Sequence, residues 1–482
     1  MVFLQTGKTS ILCRERSDKN LQRVSDKTAL FETMPVRQAV CRQIVPAIAS
    51  QMIALIYNLA DTYFVGMLNQ PHQTAAITVV YSSFVMLTAL SNLFGVGGAS
   101  ALSRALGIKK REDARRIACL SFWGGLISSI LFSLLFLVFA RPVLTLCGAT
   151  PEVYDVAFGY ALWAVVIGGP ATILNTLLAN LIRAEGSAAA ASIGVSMGGV
   201  LNMILDPFFV LPGFLGMGAV GAGIATALSN LAATLYFLCF IGIRRGKTAV
   251  SLNPSKLRYA GRYLRTVFSS GMPSAVQYAL TVVAIAAQSR FVSRYGTEAM
   301  AALGIVKKLD QLPLYFSIGV SSGILPLLAY NYSSGNQSRR REIFRLGCTV
   351  SLAFSLLCLI AYESFAPQLS SLFISDPATI RYSAGFLRRM VTAMPMMSVC
   401  YPMIIQFQAM ERIKESMICS VLRKGVLDIP LLFLMNAVFG LYGCMWVQPI
   451  VDSISLIAAG VFFRRLEKED SGMTRPGEWS GT

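Results

Sequence analysis

The chain has 482 residues, 55% of them hydrophobic and only 14% charged, with a mean hydropathy of +0.59. Soluble proteins carry about 25% charged residues, so the composition excludes an ordinary soluble domain. The 42 Lys and Arg against 24 Asp and Glu leave a net charge of +18, but the bases lie between apolar blocks, with no basic patch interleaved with aromatics, which speaks against a nucleic-acid partner.

Residues 1–34 mix both charge signs with Ser, Thr and Gln and show no apolar core before a small-residue cleavage site. They read as a disordered cytoplasmic extension rather than a signal peptide, with Met34 as an alternative start. Apolar blocks follow near 43–66, 75–99, 117–139, 158–182, 189–211, 218–242, 267–291, 303–329, 345–362, 382–408, 416–437 and 442–463. A spanning helix needs about 20 apolar residues, because the hydrocarbon layer is about 30 Å thick. The expected fold is therefore an all-α membrane protein of twelve transmembrane helices. Residues 35–243 form an N-terminal lobe, 244–266 a cytoplasmic linker, 267–464 a C-terminal lobe and 465–482 a cytoplasmic tail.

The connections alternate in charge. The second holds Arg104, Lys109, Lys110, Arg111, Arg115 and Arg116, and the sixth holds Arg244, Arg245, Lys247, Lys256, Arg258, Arg262 and Arg265. Arg339, Arg340, Arg341 and Arg345 mark the eighth, Arg412 and Lys414 the tenth, and Arg464 and Arg465 open the tail. By contrast, 67–74 and 211–218 have no Lys or Arg. Positive charge collects on the cytoplasmic side, so both termini are expected there. Residues 251–265 of the sixth connection suit a short amphipathic helix on that surface.

A shift of about 227 residues brings the two halves into register: "GGVLNMILDP" (198–207) overlays "KGVLDIPLLF" (424–433), and Pro46 overlays Pro273. Six helices is an even number, so the repeats are parallel and leave a cleft between two bundles, an arrangement suited to alternating access.

A charge at the centre of a span costs about 2.5–3.5 kcal/mol on the lenient scale, so intramembrane polar residues are functional candidates. Asp61, with Asn58 one turn earlier, falls in the outer half of the first span. Asp206, with Asn202 one turn earlier and Pro207 next, falls at a similar depth in the fifth. Two buried carboxylates at one depth suit a proton or cation site, with Asn58 and Asn202 holding them. In the second half Asp428 takes the place of Asn202, Leu432 that of Asp206 and Ser289 that of Asp61. Asp452 lies within the last span, and Asp310 is expected to pair with Lys307 and Lys308. Gln277, Tyr278, Gln288 and Gln406 suit a cleft lining, and Met394, Met396, Met397, Met403 and Phe407 an adaptable wall or plain packing. Ten scattered Cys and the single His72 make no metal site, and no GxxxxGK[ST] run supports ATP drive.

"NLADTYFVG" (58–66), "GVGGASALSRALGIKKREDARR" (95–116), "LIRAEGS" (181–187), "VLNMILDPFFV" (200–210), "GAVGAGIATALSN" (218–230) and "AYNYSSGNQSRRREIFR" (329–345), in this order and spacing, resemble the multidrug and toxic compound extrusion family, the MATE transporters, in its bacterial branch with acidic residues in the N-terminal lobe. The resemblance covers about 33–465. It implies a V of two six-helix lobes in the cell membrane that exports organic, often cationic, compounds against H⁺ or Na⁺, with no cofactor. Asp61, Asn202 and Asp206 match the family's carboxylate motifs, Thr226 resembles the sixth-helix polar residue beside them, and Asn175 resembles the fourth-helix Asn, though it is expected deeper toward the cytoplasm. The seventh helix lacks the carboxylate of some Na⁺-coupled members. The expected partners are small organic molecules and the lipid bilayer, and the expected state is a monomer. A lipid-linked glycan flippase of the wider superfamily is the main alternative; it would bring a cationic central cavity, which the sequence does not display. A membrane enzyme would need a catalytic set that one His does not supply.

Overall fold

The computed structural model describes residues 28–68 and 70–472, and among them there is no strand. Nine of the spans are α1 (Val36–Gly66), α2 (Pro71–Gly107), α3 (Arg111–Val138), α5 (Ala188–Val210), α6 (Gly218–Ile243), α7 (Leu264–Val292), α8 (Thr297–Ser333), α9 (Gln337–Ser371) and α10 (Pro377–Ala409). Between α3 and α5 lies α4, built of Pro151–Ala161, Leu162–Ile167 and Gly169–Ala184 and bent by 45°. Pro170 has no N–H to give the ladder; a π turn precedes it, in which the Gly168 N–H bonds the Trp163 carbonyl at 2.8 Å.

The last helical run, Ile413–Glu469, has 57 residues, more than one crossing needs. Gly440 has φ 59° and ψ −141°, and the Cys444 thiol lies 3.5 Å from the Asn436 side chain. In a straight helix residues eight apart are about 12 Å apart, so the chain reverses at Gly440. This divides the run into α11 (413–439) and α12 (441–472). The expectation of twelve spans holds.

Two outer helices carry large apolar side chains on the exposed face and small residues on the buried one. On α3 the side chains of Ile127, Leu131, Leu134 and Val138 are exposed, whereas Gly125, Ser129 and Ser133 are buried. On α9 Leu356, Leu357 and Ile360 face outward and Gly347, Ser351 and Ser355 inward. Apolar side chains cost nothing against lipid, while small residues let helix backbones approach.

The lobes meet chiefly where α2 packs on α7 and α1 on α8. A Cβ at Gly271 would overlap the Leu93 carbonyl, and one at Gly323 would sit 2.8 Å from the Ile44 Cα. These contacts fall toward the end of the molecule that carries the basic connections. There the buried Arg104 of α2 donates to Ser100 Oγ (2.7 Å), the Gln408 carbonyl (3.1 Å) and Glu411 Oε1 (2.9 Å), tying α2 to the end of α10.

Three local expectations need correction. The sixth connection forms no α-helix but two 3₁₀ turns, Pro254–Tyr259 and Gly261–Tyr263, against α3. Pro254 and Gly261 interrupt any longer run, and ion pairs of Lys256 with Glu112 and Arg262 with Asp113 (3.0 Å) hold the turns down. Most of the expected extension lies outside the described residues, but 28–32 is helical and packed: Phe31 stacks on Tyr330 at 4.6 Å, and Arg339 donates to the Leu30 and Phe31 carbonyls. The spans also outrun their apolar blocks. α10 starts at Pro377 because the Asp376 carboxylate accepts from the Thr379 hydroxyl (2.7 Å) and N–H (2.8 Å), a cap that holds its carboxyl below the usual range.

Candidate transport site

In the N-terminal lobe α1, α5 and α6 bring polar side chains together. Gly199 lets α5 approach α1; a Cβ there would stand 3.0 Å from the Tyr57 ring. Asp206 of α5 is fully buried (0% exposed) and accepts through Oδ1 from Asn202 Nδ2 at 3.3 Å. The same amide lies 3.5 Å from the Thr226 hydroxyl of α6. Asp61 of α1 is half-buried, and its charge interacts with that of Asp206. Tyr57 and Tyr160 lie within the field of both carboxylates. Three enclosed oxygens find no partner among the described residues: Asp61 Oδ1, Asp206 Oδ2 and Asn202 Oδ1. An unsatisfied buried acceptor costs about 1–3 kcal/mol, so this group of hard oxygen donors is poised to take a proton or a small cation.

Asn175 lies one helical turn beyond Thr226, toward the end of α6 that leads into the basic linker. It reaches the same network by donating to Asn230 Oδ1 (2.8 Å), while Asn230 donates to the Thr226 carbonyl (3.0 Å). Asn230 was not legible as a site residue, since one more Asn on an apolar helix carries no spacing signal. Asn58 does not hold a carboxylate: its amide bonds the Ala54 carbonyl of its own helix at 2.7 Å. A side chain one turn from Asp61 on the same helix satisfies itself most cheaply on the backbone below it.

The C-terminal lobe joins Asp310, Asp428 and Asp452, named from the sequence, with Arg423, Lys424 and Gln448, which were not. Arg423 of α11 is sealed at 1% exposure, donates through Nε to Asp452 Oδ1 at 3.0 Å and lies over the Tyr401 ring at 4.2 Å. Gln448 joins Lys424 (2.5 Å) to Asp452 (2.9 Å). Lys307, Asp310 and Asp428 sit in the field of Lys424. Asp310 feels Lys307 of its own helix and Lys424 of α11, and it forms no close ion pair with Lys307 or Lys308. Arg423 and Lys424 were not singled out from the sequence. The bases of "LRKGV" (422–426) stand close to Arg412 and Lys414 and merge with that basic connection on a charge count.

Tyr315 of α8 has Tyr57, Tyr81, Tyr278 and Tyr401, from helices of both lobes, in its neighbourhood. Gln277 is buried and donates to the Tyr401 hydroxyl at 3.1 Å. Gln288 and Gln406 do not line a cleft: Gln288 bonds the Cys444 carbonyl at 3.3 Å, and Gln406 is enclosed. Met394, Met397 and Phe407 are core.

The MatE family model matches this chain twice, over residues 46–208 and 273–434, and so covers most of it. The chain belongs to the MatE family. The two matches start 227 residues apart, at 46 and 273, the shift of the internal repeat. Among MatE relatives, the chain is 30% identical to the multidrug export protein MepA of Staphylococcus aureus, over 89% of this chain and 94% of that one. It is 29% identical to the MepA of Staphylococcus saprophyticus over the same shares. The fold matches that of a multidrug resistance MATE family transporter solved in an outward-facing conformation, with a TM-score of 0.86, 22% identity and coverage of 92% and 98%. It also matches a superfamily transporter of Pyrococcus furiosus described as having a binding pocket of reversed polarity, with a TM-score of 0.83, 22% identity and coverage of 92% and 98%. This MatE protein is thus a multi-pass membrane transporter rather than an enzyme.

Proposed function

We propose that the protein is a monomeric efflux transporter that exports amphipathic organic cations in exchange for H⁺ or Na⁺, with the basic connections and both termini in the cytoplasm. The multidrug export named for the staphylococcal relatives supports the direction and substrate breadth. Closure of the lobes at the basic end supports an outward-open state, since positive charge marks the cytoplasmic side. The observation that carries the coupling is the pair Asp61 and Asp206 with its unpartnered oxygens. A cation entering the cleft neutralises the pair and changes how α1 packs on α5, and Pro207 is placed to let α5 bend. An organic cation attracted to the same carboxylates needs them charged. Substrate and coupling ion then favour different bundle conformations, which is what exchange requires.

The test is efflux of a fluorescent cation from vesicles containing the purified protein, with pH and Na⁺ gradients imposed separately. Asp206→Asn keeps the side-chain volume and removes the charge, and it is expected to abolish gradient-driven efflux while the protein still inserts and folds. Wild-type rates in both Asp61→Asn and Asp206→Asn would make the carboxylates structural. Transport of anionic lipid-linked sugars instead of cations would favour the flippase.

A further inference from the structure

We propose that residues 28–32 form a strap across the two lobes that favours the state closed at the basic end and must leave the C-terminal lobe each time that end opens. This rests on the exchange between bundle conformations proposed above and adds an element that biases it.

The first argument is position. The segment lies ahead of the first family match, which begins at residue 46, yet it is packed like core: Leu30 and Phe31 are 4% and 3% exposed. On one side it touches the N-terminal lobe. A Cβ on Gly186, in the turn between α4 and α5, would stand 3.0 Å from the Phe31 ring and 3.2 Å from the Leu30 side chain. On the other side the Phe31 ring lies on Tyr330 of α8 in the C-terminal lobe. Tyr330 itself marks the seam between the lobes. Its carbonyl oxygen would be 2.5 Å from a Cβ on Gly107 of α2, and Ser333, three residues on, donates to the Arg104 carbonyl at 2.9 Å. The strap therefore covers the seam where the lobes close.

The second argument is that the segment is bonded to one lobe and tethered to the other. The Tyr330 hydroxyl donates to Glu32 Oε1 at 2.7 Å. Arg339 of α9 donates to the Phe31 carbonyl at 2.9 Å and the Leu30 carbonyl at 3.2 Å, and the Asn331 amide reaches the Phe31 carbonyl at 3.4 Å. Bonds that involve an ionised partner, as those of Glu32 and Arg339 do, belong to the stronger class. The contact with Gly186 is apolar. The chain, however, runs on into α1 of the N-terminal lobe through only three residues, 33–35, which span at most about 11 Å when fully extended. Once the lobes part enough to use that slack, the strap must give up its bonds to α8 and α9 and expose the buried ring. Docked, it stabilises closure at the basic end; undocked, it contributes nothing. A chain begun at Met34 would keep α1 and lack the strap.

The test reads the conformation directly, without substrate. In a cysteine-free background in lipid nanodiscs, spin labels replace Lys110 and Arg345, exposed positions at the basic end of each lobe, and pulsed electron paramagnetic resonance gives the distance between them. Arg339→Gln, and separately a chain begun at Met34, are each expected to raise the ratio of long to short distances about ten-fold, the scale of one lost hydrogen bond to a charged group. The unfolding temperature reports that each protein is folded. In an unlabelled protein, Glu32→Cys with Tyr330→Cys, joined by a short reducible cross-linker, is expected to stop efflux until the link is reduced. An unchanged distance ratio in both strap-deficient proteins, or efflux that persists through the cross-link, overturns the strap. A shifted ratio in a protein that exchanges no cation leaves the strap standing and sinks the function proposed above.

Discussion

At the scale of single residues, the two lobes treat charge in opposite ways. Asp206 sits among neutral partners with an oxygen unsatisfied, whereas Asp452 is matched by Arg423 at 3.0 Å. Removing one member of a buried pair leaves an uncompensated charge, which costs about 3–5 kcal/mol, while replacing both members by apolar groups is often neutral. Asp452→Asn is therefore expected to lower the midpoint of detergent-induced unfolding markedly. Arg423→Met combined with Asp452→Leu is expected to recover most of the loss. Equal losses in the single and double variants would show that the pair is not the source of stability. The sequence displayed Asp61, Asn202 and Asp206 because each stands alone in an apolar run. It hid Arg423 because partnership across α11 and α12 has no trace in local spacing.

At the scale of elements, the apolar blocks located the helices but not their breaks. α4 bends where Pro170 follows Gly168 and Gly169. The tight reversal between α11 and α12 depends on one residue. Gly440 adopts φ 59° with ψ −141°, a combination essentially confined to glycine, and forcing a side chain into such a region costs about 1–3 kcal/mol. Gly440→Ala is expected to lower the unfolding temperature. Gly460→Ala in α12, where a Cβ meets nothing within 4 Å, is expected to be neutral or slightly stabilising. Similar effects of the two substitutions would refute the strain argument. The linker shows the reverse lesson: its basic, aromatic composition suggested an amphipathic helix, but Pro254 and the pairing of Lys256 and Arg262 with Glu112 and Asp113 settle it as turns on α3.

At the scale of the whole molecule, the alternation of basic and bare connections makes a topological prediction. In a cysteine-free background, single cysteines at Lys110 and Asn336 are expected to react with an impermeant maleimide only after the membrane is opened, and one at Gly216 in intact cells. Labelling of the first two from outside would invert the orientation. The contacts of Arg104 with Gln408 and Glu411 join the lobes at the end bearing positions 110 and 336.

The sequence by itself determined the number of spans, the parallel six-helix repeat and the intramembrane carboxylates, because hydropathy, charge alternation and an isolated buried Asp are local or periodic signals. The tertiary structure alone decided which polar groups meet. It drew Asn175 and Asn230 into the network of Asp206, returned Asn58 to its own backbone, and gathered Lys307, Arg423, Lys424 and Asp452 from α8, α11 and α12 into one cluster. The physical reason is that lipid constrains each helix separately through its outer face. The polar inner faces are satisfied only by neighbours from distant parts of the chain.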